Sequence, residues 1–537
     1  MLHELRYYSR MAIGIWKMLH APLPSDPREY LRRQFQNREV AFLDTLRRVV
    51  FARADHPYAV MFRLAGCEYP DLADSVKRHG LEPTLIRLRN EGVYLAHDEW
   101  KAKTPIIRSG RHIPSHSRSF SNPLVSGWME GSSSGSRGRP VVTSRSTAAQ
   151  IHMQLYHIMR ATDFQLRDRV WIDVRPILPS SAGLNSGLRG RKLGTPVDRW
   201  FSVGSTFRDY GHYRIATRAF VTMGNLLGAR APYPRYLPPG DFSPVARHVA
   251  KRRSEGSAAV VGGIASSLVR VARAALDSNC DVSGTLFCCG GEALTPGKLK
   301  VFHAAGAAAT VSYSISEVGH VGLACSQMQG NCVHILEDSI AAITVRRPAP
   351  YADDVEVDSL HFTTLLPYAP NIFINVEMDD DGLIEPTTCD CVYSQLGFSH
   401  RINHIASFGK VTPQGMTFHG TDLAKVLEEV LPAKLGGHPG DYQLVECEAA
   451  NHHTMLRLHI SKRASVTDVA HARDVFLEHM KHQWGGALAT RLWAHSAAVE
   501  AVVAEPYVTR TGKVQAIRLL GAFSRDGSPV ARSADAS

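Results

Sequence analysis

The stretch "GTLFCCGGEALTPGKLKVFHAAGAAATVSYSIS", residues 284–316, contains the pattern that decides the fold. Its first part, "GTLFCCGG", and its last part, "ATVSYSIS", are short apolar runs typical of strands. Between them, Thr295 followed by Pro296 is the pairing expected at a helix start, with a capping hydroxyl and then proline in the first turn. The stretch therefore predicts strand, helix, strand.

The preceding residues continue this alternation. "AAVVGG" has the character of a strand, and "ASSLVRVARAALD" has helical spacing of its apolar residues. Strand–helix–strand–helix–strand predicts an α/β fold with a largely parallel sheet and helices on its faces. Ligands of such sheets bind beyond the carboxyl ends of the strands, which is where "CCGGE" and "SYSISE" are placed.

The flanking regions differ from this centre. Residues 1 to about 115 are predicted to be mainly helical, because "EYLRRQFQNREVAFLDTLRRVVFAR" spaces its apolar residues three and four apart. From about residue 409, two helical and two strand-like segments predict a small, mobile α+β domain. We expect an N-terminal domain over 1–408 and a C-terminal domain over 409–537, with the last residues disordered.

Composition limits the classes of function. Lys and Arg (61) exceed Asp and Glu (50). This positive charge suits an anionic ligand such as ATP or a coenzyme A phosphate; the alternative is a basic surface without a partner. We find no nucleic-acid-binding signature and no apolar run long enough to span a membrane, so neither partner is expected. Nine cysteines in a long chain favour reduced thiols or a metal site, and a cytoplasmic location.

The segment "GSSSGSRGRP", residues 131–140, allows three local interpretations. A hydrolase turn with Ser133 as nucleophile needs a strand before it and a helix after it, yet Pro140 stands where that helix would run. A Walker loop is excluded, because no Gly-Lys pair is followed by Ser or Thr. A plain linker remains open on composition, although the segment contains two arginines and runs into the strand-like "PVVTS".

The rest of the chain adds a resemblance. "SSGSRGRPV" resembles the phosphate loop of the adenylate-forming superfamily, and "GGEAL", "SYSISEVG" and "TRTGKVQAIR" follow in that superfamily's order. Flanking segments such as "GVYLAHDEWKAKTPIIR" and "GGHPGDYQLVE" resemble the phenylacetate-CoA ligase branch, of which this chain looks like a divergent member. The resemblance covers roughly residues 55–519.

The resemblance implies roles for individual residues. Tyr313 would stack on adenine, Ser316 would bind the α-phosphate, and Glu317 would hold Mg²⁺. Lys513 would bridge the substrate carboxylate and the α-phosphate during adenylation. Gly291 and Glu292 would lie on the adenine side. The phosphate cradle would consist of Ser133, Ser134, Gly135, Ser136, Arg137 and Gly138.

Two positions depart from the superfamily's pattern. The segment "NVEMDDDG" replaces the usual ribose-binding motif, so Asp380 is the expected ribose ligand and Asp379 its competitor. The arginine near the hinge would correspond to Arg401 or Lys410, with the hinge near residues 408–410.

Cysteine and histidine residues between 325 and 391 predict a second site. Cys325, His334, Cys389 and Cys391 could build a tetrahedral Zn²⁺ site, with Cys332 as a spare. Such a site would be structural, since four protein ligands leave no open position. The alternative is a group of reduced structural cysteines.

The predicted activity is ATP-dependent activation of a carboxylic acid through an acyl-adenylate, followed by acyl transfer to coenzyme A. Transfer to an amine or a carrier-protein thiol would use the same first step, and a non-catalytic nucleotide-binding protein is the alternative of a different class. The acid pocket is expected to draw on residues 208–236 and "VVGGIASS". We expect a monomer or a homodimer.

Overall fold

The computed structural model describes residues 2–116, 118–125, 129–132, 142–178, 180–202, 207–238, 241–349, 352–407, 410–411, 418–419, 423, 426–437, 440–448, 454–481, 498–507 and 517–519. Among these residues, no helix is both long enough and apolar enough to cross a membrane.

The first hundred residues are helical, as the spacing of their apolar residues predicts. Helix α5 ends at Gly80, which has a φ of +84° and therefore leaves the helical region. A short hairpin, β1 paired antiparallel with β2, follows the last of these helices. The elements are α1 (Leu2–His20), α2 (Pro27–Gln36), α3 (Arg38–Leu46), α4 (Pro57–Leu64), α5 (Tyr69–His79), α6 (Leu81–Asn90), α7 (His97–Trp100), β1 (Ile106–Arg108) and β2 (Arg111–Ile113).

The central region alternates strands and helices. Thr295 caps its helix as expected, with its hydroxyl accepting a hydrogen bond from the Lys298 amide at 3.2 Å. The elements are β3 (Met129–Ser132), β4 (Val142–Arg145), α8 (Thr147–Asp163), β5 (Val170–Val174), α9 (Ala182–Gly190), β6 (Val197–Ser202), α10 (Phe207–Leu226), β7 (Pro234–Tyr236), α11 (Ser243–Ser254), β8 (Ala259–Ile264), α12 (Ala265–Asp277), β9 (Leu286–Gly290), α13 (Pro296–Ala304) and β10 (Ala308–Ile315).

Strands dominate the region that follows. No crossover α-helix separates these consecutive strands in the described part of the chain. The strands are β11 (Gly319–Leu323), β12 (Cys332–Ile335), β13 (Ile340–Ala349), β14 (Ala352–Thr364), β15 (Val376–Pro386) and β16 (His400–Ser407).

Twelve of these strands form one mixed sheet in the order β13-β14-β15-β16-β12-β11-β10-β9-β8-β5-β6-β7. The half from β10 to β7 is parallel, and the half from β13 to β10 is antiparallel. The expectation of a largely parallel sheet is therefore right for one half only. Strands β10 to β12 and β13 to β16 each pair with the next strand in sequence as antiparallel neighbours, and β12 pairs antiparallel with β16.

The C-terminal elements form a separate four-stranded sheet in the order β21-β20-β19-β22. Leu444, Leu456 and Phe476 belong to its fully buried core, which contains only residues from 423 onward. Residues 408 and 409 lie outside the described residues, so the domain boundary there stays a prediction. The elements are β17 (Lys410–Val411), β18 (Phe418–His419), α14 (Leu431–Leu435), β19 (Tyr442–Glu448), β20 (Thr454–Ile460), α15 (Val469–Lys481), β21 (Val499–Val503) and β22 (Ile517–Leu519).

Candidate functional site

The carboxyl edge of the parallel half brings together the two segments that the sequence places there. Strands β9 and β10 are parallel neighbours, with Gly290 opposite Ser312. Gly291 follows directly with a φ of +76°, a conformation that residues with a side chain rarely adopt. The adenine-side turn and the turn after β10 therefore lie side by side.

Tyr313 and Asp380 meet at this edge. The Tyr313 hydroxyl donates a hydrogen bond of 2.7 Å to the Asp380 carboxylate, which is 3% exposed. Burial, and then the nearby Asp380 charge, raise the pKa of Tyr313 well above its usual value, so the hydroxyl remains a donor. Two residues that are 67 positions apart in sequence thus form one unit.

The neighbouring carboxylate, Asp379, belongs to a different environment. It lies 3.3 Å from Nδ1 of His97, which itself starts α7. Asp379 has a φ of +57°, so the strand is locally distorted between the two carboxylates. The hydrogen bond from Tyr313 goes to Asp380, whereas Asp379 lies beside His97, which distinguishes the two ribose-ligand candidates geometrically.

Ser316 and Glu317 form the turn between β10 and β11. The Asn371 side-chain amide donates to the Glu317 carbonyl at 2.8 Å and fixes the turn. Glu317 is 6% exposed, and its carboxylate makes no hydrogen bond or ion pair with another described residue. A carboxylate on a mostly buried residue, without a partner among the described residues, can serve as a cation ligand, because a desolvated charge is costly to leave unpaired.

Glu292, by contrast, is already paired. Its carboxylate lies 3.2 Å from Nζ of Lys298, and both side chains are about 1% exposed. Lys298 also donates to the Ala293 carbonyl and to the Thr454 hydroxyl, each at 2.9 Å. Thr454 begins β20, so this buried lysine connects the adenine-side turn with the C-terminal sheet.

The structure places Arg401, one of the two candidates for the hinge-proximal cation, away from this edge. Arg401 pairs with Glu385 at 3.1 Å and lies opposite His334 in the sheet. Asp380 lies opposite Ser407 on β16, and Arg401 is six residues before Ser407 on the same strand. Arg401 is therefore roughly 20 Å from the level of Asp380 along β16. Lys410 lies in β17 opposite His419.

Other predicted residues lie outside the described part of the chain. These are the phosphate-loop residues Ser133, Ser134, Gly135, Ser136, Arg137 and Gly138, and the lysine Lys513. The described flanks of the loop, β3 and β4, pair antiparallel with Ser132 opposite Val142. The segment is therefore followed by a strand, whereas a hydrolase nucleophile turn needs a helix there.

The four predicted metal ligands form a compact cluster. Their ligand atoms, from Cys325, His334, Cys389 and Cys391, all lie within 4.8 Å of one another. The sulfur of Cys389 lies 3.9 Å from that of Cys325 and 3.6 Å from that of Cys391. A tetrahedron with Zn–S bonds of about 2.3 Å has sulfur–sulfur edges of about 3.8 Å, so these spacings fit zinc.

The chemistry of the cluster also fits a metal. Nε2 of His334 faces the sulfurs of Cys389 and Cys391, at 3.0 and 3.1 Å. A hydrogen bond from the Cys325 thiol, reinforced by one from His334, lowers the pKa of Cys391 against the opposing effect of burial. The thiolate is the form that binds metals. Cys332, the spare, is not a member of the cluster.

The cluster is away from the turn that carries Glu317. The Ala324 amide donates to the Val311 carbonyl at 3.1 Å, which places Cys325 level with the middle of β10 rather than with its end. Buried Leu323, Leu336 and Tyr393 pack around it. Its position and its four protein donors suit a structural role.

Sequence reasoning missed Lys298, Asn371 and His97. A lysine in "TPGKLK" looks solvent-exposed, and only its 1% exposure reveals the buried pair with Glu292. Asn371 and His97 act on Glu317 and Asp379 across long sequence separations. Nothing in the local sequence signals either contact.

No protein-family model matches the chain, and no curated protein matches its sequence. Solved structures do resemble it. A 2-hydroxyisobutyryl-CoA ligase, solved with 2-HIB-AMP and CoA, aligns with a TM-score of 0.54 at 14% identity, covering 93% of this chain and 94% of that one. A malonyl-CoA ligase aligns with a TM-score of 0.41 at 13% identity over 82% of this chain and 95% of that one. An anthranilate CoA ligase solved with anthranoyl-AMP reaches 0.31 at 12% identity, covering 86% of this chain and 79% of that one.

The first of these alignments extends over nearly the full length of both chains. The chain therefore has the α/β fold of this CoA ligase. At this identity the likeness concerns the fold.

Proposed function

We propose that this chain activates a carboxylic acid with ATP, forming an acyl-adenylate and releasing pyrophosphate. The observation that carries the proposal is the turn after β10. It combines the Tyr313–Asp380 pair with Ser316 and the mostly buried Glu317, whose side chains have no hydrogen-bond partner among the described residues, at one sheet edge. The fold shared with a CoA ligase supports the same activity.

Each residue has a defined task in this proposal. Tyr313 would lie against adenine while orienting Asp380 toward the ribose hydroxyls, and Ser316 would donate to the α-phosphate. Glu317 would hold Mg²⁺, which would neutralise charge on the phosphates. Lys513 would hold the substrate carboxylate and the α-phosphate in line for attack. Glu292 would contribute its backbone, because Lys298 occupies its carboxylate.

The second step transfers the acyl group to a nucleophile. We propose coenzyme A as the acceptor, because the 2-hydroxyisobutyryl-CoA ligase that shares the fold was solved with CoA. The alternative is an amine, which would make the protein an amide ligase. Product masses from reactions with coenzyme A, and separately with a set of amines, distinguish the two acceptors.

Carboxylate-dependent exchange of pyrophosphate into ATP tests the first step. We expect exchange with at least one acid of a broad panel, and a loss of about a hundredfold or more in Lys513→Ala and Glu317→Gln. Thiol transfer from a supplied acyl-adenylate should be affected much less by Lys513→Ala. A folded protein that binds ATP but exchanges with no acid would contradict the proposal and favour a non-catalytic nucleotide-binding protein.

We also propose that Cys325, His334, Cys389 and Cys391 hold a structural Zn²⁺ ion. Their spacing and thiolate chemistry support this site. Protein purified without chelator should contain about one zinc per chain, and Cys391→Ser should lose it. Cys332→Ser is the matched control, since Cys332 is buried nearby on β12 but outside the cluster. Less than about half an equivalent in the wild type would refute the site.

A further inference from the structure

An arginine at the end of β5 presents a free guanidinium fork at the same carboxyl edge. Nε of Arg175 donates to Oδ1 of Asp173 at 3.0 Å, and the Trp171 indole donates to the same oxygen at 3.2 Å. The Arg175 side chain is 29% exposed, and its two terminal amino groups make no hydrogen bond with a described residue. Asp173 is fully buried, and its other oxygen, Oδ2, has no described partner.

Unpartnered hydroxyls lie on the same face of the neighbouring strands. The Arg175 amide donates to the Phe201 carbonyl, so Arg175 is level with Ser202 at the end of β6. Ser202 is fully buried, and its hydroxyl has no described partner. Ser202 is in turn opposite Tyr236 on β7, whose buried hydroxyl also lacks a described partner. Buried polar groups normally find partners, so such a row calls for a ligand.

The surroundings of the row are cationic. The guanidinium of Arg214, on α10, lies 3.5 Å from the centre of the Tyr236 ring. The pKa of His157 lies well below its usual value. Burial has the largest effect, and the charges of Arg189, Arg160 and Arg175 lower the pKa further. His157 is therefore neutral, and the positive charge here belongs to guanidinium groups. A guanidinium fork with free amino groups matches a carboxylate in geometry and charge.

The strand next to β5 keeps the space above Arg175 open. A Cβ added to Gly262, on β8, would lie 3.2 Å from a terminal amino group of Arg175 and 3.2 Å from Oδ1 of Asp173. A side chain at Gly262 would therefore crowd the fork. The guanidinium thus lies over β8. Strand β8 is two strand spacings, or roughly 10 Å, from β10, the strand that carries Ser312 and Tyr313.

We propose that Arg175, with Ser202 and Tyr236, binds a second carboxylate on the substrate, so that the enzyme activates dicarboxylic acids. This inference rests on the proposed adenylation function and specifies its substrate class. One carboxylate reacts at the end of β10, while the other pairs with the Arg175 fork. The separation of about 10 Å between the fork and the strand of Ser312 favours acids whose carboxyl groups are separated by several carbons or a ring.

The test compares matched acids in the pyrophosphate exchange assay. Adipate is paired with hexanoate, terephthalate with benzoate, and succinate with butyrate. We expect at least one dicarboxylate to exceed its monocarboxylate partner by about tenfold or more in kcat/KM, the gain typical of charge-assisted hydrogen bonds. Arg175→Met should abolish this preference by raising the KM of the dicarboxylate, and Arg175→Lys should retain part of it.

Matched controls separate the alternatives. Arg167→Met removes an exposed arginine at the opposite edge of the sheet and should leave the preference unchanged. Tyr236→Phe deletes one hydroxyl and should weaken dicarboxylate binding severalfold. This second variant tests the site even if Arg175→Met does not fold. Wild-type exchange with monocarboxylates but no preference for any dicarboxylate, or a preference that Arg175→Met leaves unchanged, would overturn this inference alone. An Arg175→Met effect on the KM of coenzyme A instead would also overturn it, and no exchange with any acid would overturn the adenylation proposal itself.

Discussion

Lys298 is the residue whose surroundings differ most from what its sequence context indicates. It is about 1% exposed, and it compensates the equally buried Glu292 while binding Ala293 and Thr454. Removing one partner of a buried ion pair leaves an uncompensated charge, which costs more than the pair itself contributes.

We therefore expect Lys298→Met to lower the free energy of unfolding by about 3–5 kcal/mol, because the buried Glu292 would lose the cation that lies 3.2 Å from its carboxylate. Glu292→Gln combined with Lys298→Met should recover a large part of that loss. Chemical denaturation followed by tryptophan fluorescence measures both. Lys251→Met is the control: its side chain is 69% exposed in a surface pair, so a change within about 0.5 kcal/mol is expected. Equal effects of Lys298→Met and Lys251→Met would disprove the role of the buried pair.

The adjacent carboxylates Asp379 and Asp380 allow a second test at the residue scale. Asp380 accepts from Tyr313 at the nucleotide edge, whereas Asp379 lies beside His97. Asp380→Asn should raise the KM for ATP by about tenfold or more, since a hydrogen bond to a charged group is worth about 1.5–3 kcal/mol. Asp379→Asn should change it much less. Steady-state kinetics together with calorimetric AMP binding measures the difference, and the reverse order would assign the ribose to Asp379.

At the scale of elements, β14 and β15 place acidic groups close together. Burial, and then the charges of Asp358 and Asp380, raise the pKa of Asp381 to about 7. In the unfolded chain, a carboxyl of this kind ionises near 3.9. Between these two values the folded protein holds a proton that the unfolded chain has lost, so stability falls as pH rises.

Asp381→Asn removes this penalty. Below about pH 4, the variant and the wild type should have the same free energy of unfolding, because the protonated Asp381 carboxyl is as uncharged as the amide that replaces it. Its advantage in free energy of unfolding should grow as pH rises to about 7, then remain constant. Denaturation midpoints measured across this range provide the check. An advantage that is already complete at pH 4 would point to a packing effect instead.

The elements that sequence reasoning predicted are those with strong local signals. Strands β8, β9 and β10 and helices α12 and α13 follow directly from apolar periodicity and from the Thr295 cap. The antiparallel half of the sheet was not predicted, because hairpin pairing among β11 to β16 depends on contacts between distant residues. The Cys/His cluster was predicted by residue type, whereas the Arg175 fork was not, since a missing partner is visible only in three dimensions.

At the scale of the whole molecule, a hydrogen bond between described residues joins helix α13 to the C-terminal sheet. Nζ of Lys298, in the N-terminal part, donates to the Thr454 hydroxyl at the start of β20. If the C-terminal part rotates between adenylation and acyl transfer, as the superfamily resemblance implies, this bond exists in only one of the two arrangements. Its loss would then shift the balance between the half-reactions.

Thr454→Val tests this contact without altering the Glu292–Lys298 pair. We expect the ratio of pyrophosphate exchange rate to acyl-transfer rate to change by severalfold, since one hydrogen bond is worth about 1 kcal/mol. Thr454→Ser, which keeps the hydroxyl, should behave as the wild type. Parallel loss of both half-reactions in Thr454→Val would indicate a general structural effect and contradict the coupling.

Transfer of a heavy oxygen isotope from substrate to product tests the central claim most directly. In an acyl-adenylate, the oxygen that bridges carbon and phosphorus comes from the carboxylate, and it leaves with AMP when the acceptor attacks the carbonyl. With an acid labelled in both carboxylate oxygens, the account predicts AMP carrying one heavy oxygen and unlabelled pyrophosphate. Unlabelled AMP, or formation of ADP and phosphate in its place, would contradict adenylation.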